Sequence, residues 1–264
     1  MKVGFIGCGN MGGALAVAVS KVADADIYLS DNDANKAMAL AEIIGSFTSD
    51  NTSIASECDF IFLGVKPNVI VDVVAPLRNS LIKNPRAVIV SMAAGVKIEN
   101  LEAITPKGTK IIRIMPNTPV TVGLGMITWC AGGAVNIEDK SSFLKILSHA
   151  GVLDEISEDK IDAATAVAGC GPAFVYMFID ALAKGGELCG LDRGAAIKYA
   201  CQTLRGAAQM VEQTGKTPEQ LKIEVCSPGG STIEGVKALE NGGIDKLCVD
   251  AVSASYAKNK TLGK

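Results

Sequence analysis

Residues 2–12, Lys2-Val-Gly-Phe-Ile-Gly-Cys-Gly-Asn-Met-Gly12, decide the fold. Lys2 to Ile6 read as a short apolar strand. The residues after Gly12 read as a helix, with Leu15, Val19 and Val22 at helical spacing. Between them Gly7, Gly9 and Gly12 match GxGxxG, and a strand before it and a helix after it are the context the motif requires. Gly7 permits a tight turn, Gly9 lets backbone approach a pyrophosphate, and Gly12 lets helix pack closely on strand. The helix N-terminus then offers N–H groups and a positive dipole end to phosphate. A glycine-rich turn without a ligand is the alternative.

The next strand, Ile27 to Asp31, places an acid where a ribose 2′-hydroxyl would be bound. A carboxylate at Asp31 repels a 2′-phosphate, and no arginine stands at 32 or 33 to accommodate one. The cofactor expected is therefore NADPH or NADH, with Asp31 leaning modestly to NADH. Further apolar strands are expected near 45–48, at 58–65, 87–91 and 110–115, and last near 126–131 and 151–156. Helices are expected over 33–43, 68–82 and 137–149. This alternation predicts a doubly wound parallel sheet. Val65-Lys66-Pro67, Ala93-Ala94-Gly95 and Asn117-Thr118-Pro119 fall at strand carboxyl ends, where such sheets bind ligands. His149, the only histidine, ends a helix and reads as structural.

From about 159 the strand signals stop. Helices are expected at 159–168, 172–189, 193–214, 217–225, 231–241 and 244–260. The division is a dinucleotide-binding domain over 1–158 and a helical dimerisation and substrate domain over 159–264. Ala173–Ala183 is apolar almost all round, as in a helix buried on every side. A partner subunit would bury it; a central helix of a monomeric bundle is the alternative. Gly169 and Gly171 bring backbone close to a ligand or to a neighbouring helix, and Pro172 suits a first helical position.

The stretch Cys226-Ser-Pro-Gly-Gly-Ser-Thr-Ile-Glu234 breaks the chain and then opens a helix. Ser231 and Glu234 have the spacing of a capping box. The exposed first turn suits a carboxylate, with Thr232 and Ser227 as hydroxyl partners. A tight turn with a good cap fits equally well.

The composition sets the class. The chain has 264 residues, 48% of them hydrophobic and 20% charged, so a packed core is expected rather than disorder. A net charge of -3 without a basic stripe disfavours nucleic acid. No apolar run is expected to reach the ~18 residues of a membrane span, and no signal-peptide pattern opens the chain. The eight cysteines lack CxxC spacing and one histidine completes no usual zinc site, so no metal is expected and a reducing, cytoplasmic location is.

The motifs IGCGNMG at 6–12, VKP at 65–67, AAG at 93–95, MPNTP at 115–119, GCGPAF at 169–174 and above all SPGGST at 227–232 resemble those of the pyrroline-5-carboxylate reductase family along nearly the whole chain. The resemblance implies hydride transfer from NAD(P)H to the C=N bond of 1-pyrroline-5-carboxylate, giving L-proline, the last step of proline biosynthesis. It implies a Rossmann domain followed by a helical domain interlaced with a second subunit, in a homo-oligomer built from such dimers. Carried over by motif, Ile6, Gly7, Cys8, Gly9, Asn10, Met11, Val65, Lys66, Pro67, Ala93 and Ala94 would hold the dinucleotide, and Asn51 its adenine side. Ser227, Gly230, Ser231 and Thr232 would hold the substrate, Thr232 as the catalytic contact. Two positions depart from the family's habit. Asp31 leans away from NADPH, and Cys170 stands where many members have serine. A beta-hydroxyacid dehydrogenase, which would need a helical lysine as proton donor although neither Lys184 nor Lys198 sits in a motif for it, and a non-catalytic dinucleotide sensor are the rival readings.

Overall fold

The computed structural model describes residues 1–262, which divide into two compact units. The first comprises residues 1–170 together with 255–262, and the second residues 171–254.

The first unit alternates strand and helix. In order it contains β1 (Lys2–Ile6), α1 (Asn10–Val19), β2 (Asp26–Ser30), α2 (Ala34–Ile44), β3 (Phe47–Thr48), α3 (Asn51–Glu57), β4 (Phe60–Leu63), α4 (Ile70–Val74) and α5 (Arg78–Lys83). It continues with β5 (Val88–Ser91), α6 (Ile98–Ile104), β6 (Lys110–Met115), β7 (Gly125–Ala131), α7 (Ile137–Ile146), β8 (Gly151–Glu155) and α8 (Ile161–Ala164). The eight strands form one sheet in the order β3-β2-β1-β4-β5-β6-β7-β8. The order reverses at β1, so the connections leaving the paired strands β1 and β4 part at a crevice above their carboxyl ends, the usual ligand position in such sheets.

The expected parallel sheet holds for β1 to β6, but β7 runs antiparallel to β6. The cause is connection length. Only a short 3-10 turn, Thr118–Val122, lies between β6 and β7, whereas a parallel crossover needs about a dozen residues or more. A full helix, α7, then allows β8 to return parallel to β7.

The expected helix at 68–82 is broken into α4 and α5 by a 3-10 turn, Ala75–Leu77, because Pro76 lacks the N–H an uninterrupted helix would use. The helix expected at 137–149 ends at Ile146, leaving His149 exposed in the following turn. Helices α3 and α6 were not foreseen. Each is short, and Asp50, which caps α3, was the available signal.

Two apolar clusters fill the two faces of this sheet. One gathers Phe5, Leu15, Leu29, Phe62, Ile112, Trp129 and Phe143, and the other Ile54, Ile61, Leu63, Ile89, Leu101 and Ile111. Alternate residues of the central strands point to opposite faces, so Phe60 and Phe62 serve the first cluster while Ile61 and Leu63 serve the second.

The second unit is helical: α9 (Gly171–Leu188), α10 (Arg193–Thr214), α11 (Pro218–Glu224), α12 (Ser231–Asn241) and most of α13 (Ile244–Asn259). Asp192 and Thr217 cap α10 and α11 through side-chain bonds to backbone N–H groups. The packing of α9 against α10 is the principal contact of the unit. Its side chains are poorly covered. On α9, Val175, Tyr176, Met177, Leu182 and Leu188 are all exposed in the single chain, so a monomeric bundle does not supply the expected burial. The expectation about apolar length is also corrected: Glu158–Leu188 is long and apolar enough, by length and composition, to cross a membrane. The run Phe174-Val-Tyr-Met-Phe-Ile179, flanked by alanines, carries this apolar character.

Candidate functional site

The glycine motif builds a cradle at the top of β1. Gly7 adopts φ +98, a left-handed conformation that favours glycine, and its N–H donates to the Ser30 carbonyl at 2.8 Å. A Cβ on Gly12 would stand 2.1 Å from the Gly7 carbonyl oxygen, so helix and turn touch backbone to backbone. A Cβ on Gly9 would meet nothing within 4 Å. Gly9 is also the N-cap of α1, with no side-chain bond to the helix. The first N–H groups of α1 therefore face open space beside a bare backbone, the cradle a pyrophosphate requires.

Ile6, Gly7, Gly9, Asn10, Asp31, Asn51, Val65 and Lys66 come together around one open cleft of about 990 Å³. Cys8 lines a neighbouring cleft of about 460 Å³ that shares Gly9 and Asn10 and reaches Lys36. Its N–H donates to the Asp31 carboxylate at 2.7 Å. The other Asp31 oxygen accepts from the Asp33 N–H at 2.9 Å. Asp31 thus braces the glycine turn from the end of β2, and each oxygen keeps a lone pair for a further donor. Met11 is half-buried against the apolar core. Pro67 opens the 3-10 turn Pro67–Val69 after β4. Ala93 is buried in the core beyond the end of β5, its N–H donating to the Ser91 hydroxyl at 3.3 Å, while Ala94 is partly exposed.

Sequence reasoning missed Ser30 and Asp50, which also line the main cleft. The Ser30 hydroxyl donates to the Asn51 side-chain oxygen at 2.6 Å, leaving the Asn51 NH2 free to donate. Asp50 caps α3, and hydrogen bonds from the Ser53 hydroxyl and N–H hold its carboxyl below the usual carboxylate range. Their position beside Asp31 and Asn51 was the readable signal. Burial, with the Asp31 charge adding to it, pushes the Cys8 thiol up to about 11, so at neutral pH it is a protonated thiol rather than a nucleophile.

The second unit holds Ser227, Gly230, Ser231 and Thr232. Gly229 has φ +74, which turns the chain, and the Gly230 N–H donates to the Ser227 carbonyl at 3.0 Å. Gly230 is the N-cap of α12 and Ser231 its first helical residue. The expected capping box is therefore absent: a residue already inside the helix cannot cap it, and Glu234 pairs with Lys237 at 2.8 Å instead. The first turn of α12 carries no side-chain cap, and Ser227, Ser231 and Thr232 are exposed. Lys184 pairs with Asp180 at 2.7 Å on the surface of α9. Among the described residues no group of three or more His, Cys, Asp or Glu is placed to hold a metal ion.

Comparison with known proteins identifies the family. Residues 158–262 match a family model described as pyrroline-5-carboxylate reductase dimerisation, and residues 2–95 match one described as NADP oxidoreductase, coenzyme F420-dependent. The chain is similar to a pyrroline-5-carboxylate reductase of Escherichia coli strain K12, 38% identical with 100% of this chain and 98% of the relative covered. Among solved structures it is similar to a Plasmodium falciparum pyrroline carboxylate reductase with NADP bound, at TM-score 0.88 and 32% identity, covering 100% of this chain and 98% of that one. A 1-pyrroline-5-carboxylate reductase of Streptococcus pyogenes gives TM-score 0.90 at 28% identity, with 99% of each chain covered.

Proposed function

The chain belongs to the pyrroline-5-carboxylate reductase family, and from that premise we propose how its residues divide the reaction. It is an NAD(P)H-dependent oxidoreductase that reduces the C=N bond of 1-pyrroline-5-carboxylate to give L-proline, the last step of proline biosynthesis. Full-length kinship favours this activity over a beta-hydroxyacid dehydrogenase or a non-catalytic sensor.

When bound, NAD(P)H supplies a hydride from the nicotinamide C4. The chain's own residues bind, orient and steer a proton. Gly7, Gly9, Asn10 and the start of α1 hold the pyrophosphate, and Asn51 holds the adenine side. The remaining cofactor contacts are Ile6, Cys8, Met11, Val65, Lys66, Pro67, Ala93 and Ala94. Asp31 accepts from the ribose hydroxyls and, with Asp50 beside it in the cleft, disfavours a 2′-phosphate. The modest preference proposed is therefore for NADH. The substrate carboxylate sits on the N–H groups that open α12, beside Ser227, Gly230 and Ser231. The observation that carries this placement is that α12 begins without any side-chain cap. Thr232 hydrogen-bonds the ring nitrogen. A protonated cyclic imine is already a strong electrophile, so position and electrostatics suffice.

The functional boundary lies at 158/159, and the helical part pairs with a second subunit in interlaced dimers of a homo-oligomer. The support is exposure: within 171–254 only Ala183, Ala196 and Ala200 are buried, while α9 leaves five large apolar side chains in solvent. The same pairing accounts for the apolar stretch Glu158–Leu188 without a membrane. A cytoplasmic location and the absence of a nucleic-acid partner follow from the thiols and the charge.

The test is loss of reduced-nicotinamide absorbance on adding 1-pyrroline-5-carboxylate, with NADH and NADPH in parallel. Rapid loss, faster with NADH at limiting concentration, is expected. No loss with either cofactor from a folded dimer overturns the assignment. Thr232→Ala is expected to lower kcat/KM about tenfold or more; unchanged turnover and affinity would remove Thr232 from the reaction.

A further inference from the structure

Pro172 leaves a gap in a helix that Asn117 fills. In a regular helix the carbonyl of each residue accepts from the N–H four residues on. Four residues beyond Ala168 stands Pro172, which has no N–H. Here the chain forms a π-helical turn, Thr165–Gly169, in which the Cys170 N–H reaches the Thr165 carbonyl at 2.9 Å. The Ala168 carbonyl is taken by the side-chain NH2 of Asn117, at 2.9 Å. The Asn117 side-chain oxygen accepts from the Met126 N–H, also at 2.9 Å.

Asn117 is 8% exposed, so it works as a fixed connector between the β6–β7 loop and this turn. Using both ends of the amide sets its orientation, a job an ionised carboxylate of the same reach does not perform because it only accepts. Gly169 fits the turn as well, since a Cβ there would stand 3.0 Å from the Thr165 Cγ2 methyl.

A π turn inserts one residue into a helix and so rotates the face presented by everything downstream by about 100°. The helix downstream is α9. We propose that Asn117 is a positioning residue. It supplies the donor that Pro172 lacks, holds the π turn at 165–169, and thereby sets the register in which α9 begins. The consequence for catalysis rests on the reading above, in which α9 belongs to the subunit-pairing and substrate side.

The test uses Asn117→Asp, which keeps the oxygen for Met126 and removes the donor, and Pro172→Ala, which restores the missing N–H. Amide hydrogen exchange across 165–171 is measured with kcat, KM for 1-pyrroline-5-carboxylate and dinucleotide Kd. Asn117→Asp is expected to speed exchange in that segment and lower kcat, each about tenfold, the equivalent of one buried carbonyl left unpaired. Dinucleotide Kd should stay within about twofold. In the Pro172→Ala background the same substitution should cost about threefold or less, a non-additivity expected of residues serving one carbonyl.

Unchanged exchange at 165–171, or an undiminished cost beside Pro172→Ala, overturns the proposal. Faster exchange with unchanged kcat overturns the positioning role. Should Asn117→Asp alone fail to fold, recovery of folding in the double variant supports the proposal and continued failure overturns it. Exchange and rescue need no turnover, so an inactive parent enzyme would count against the reaction assignment and not against Asn117.

Discussion

The α/β unit and the helical unit solve the problem of burial differently. The first fills two clusters with large side chains, Phe5, Phe62 and Phe143 among those fully buried. The second, over 171–254, buries three alanines. An alanine side chain removes little apolar area from water, whereas a phenylalanine contributes about 1.5–3 kcal/mol when fully buried. The first unit therefore supplies its own folding free energy. The second lacks a core of that kind, and the proposed partner subunit supplies the burial. The proposed cofactor contacts fall on the self-sufficient unit, and the proposed substrate contacts fall on the dependent one.

The largest effect expected from this difference comes at Met177, 73% exposed on α9. Met177→Glu places an unpaired charge in the proposed subunit contact. Uncompensated buried charges cost about 3–5 kcal/mol, so sedimentation should show dimer affinity weakened by at least about a hundredfold. An unchanged dimer would make α9 a solvent-facing helix and break the comparison.

Next is Phe62→Ala in the core of the first unit. A loss of about 3–5 kcal/mol is expected, read by denaturant unfolding from the fluorescence of Trp129, the only tryptophan, which lies in the same cluster. If the units behave as described, dilution should lower the unfolding midpoint seen by helical circular dichroism more than the one seen by Trp129.

A smaller effect separates two glycines of one motif. Gly12→Ala meets the Gly7 carbonyl and should destabilise the first unit by roughly 1–3 kcal/mol. Gly9→Ala enters open space, so stability should stay within about 0.5 kcal/mol while dinucleotide affinity falls. Equal stability losses would show that Gly9 is structural.

The smallest effect concerns thiols. Burial pushes Cys58 up to about 12 and Cys130 up to about 11, both within the first unit. Unfolding lets them ionise near the ordinary thiol value of about 8.5. The unfolded chain then binds fewer protons than the folded one, so stability should fall as pH rises from about 9 to 11. Cys58→Ala should flatten that slope, read as the unfolding midpoint against pH; an unchanged slope would mean these thiols are not the groups responsible.

Much of the geometry of the proposed dinucleotide cleft was legible because its determinants are local. GxGxxG between strand and helix, and an acid at the end of the next strand, state a geometry that short-range sterics enforce. Ser30 and Asp50 were missed because neither residue type announces a ligand; they matter through where the sheet places them. The α12 turn was legible as a break followed by a helix. Its cap was misread because Gly230 takes the cap position and moves Ser231 inside by one residue.

The sequence by itself determined the strand and helix alternation, the helical second half, and the residue types offered to phosphate and carboxylate. These depend on periodicity, glycine and proline, which act over a few residues. The tertiary structure decided the reversal of β7, the exposure of α9, and the joining of Asn117 to Ala168 across 51 residues of chain. Those outcomes depend on connection length, on how much surface a fold can cover, and on a hydrogen-bond donor reaching a carbonyl that proline left without one. No local pattern encodes them.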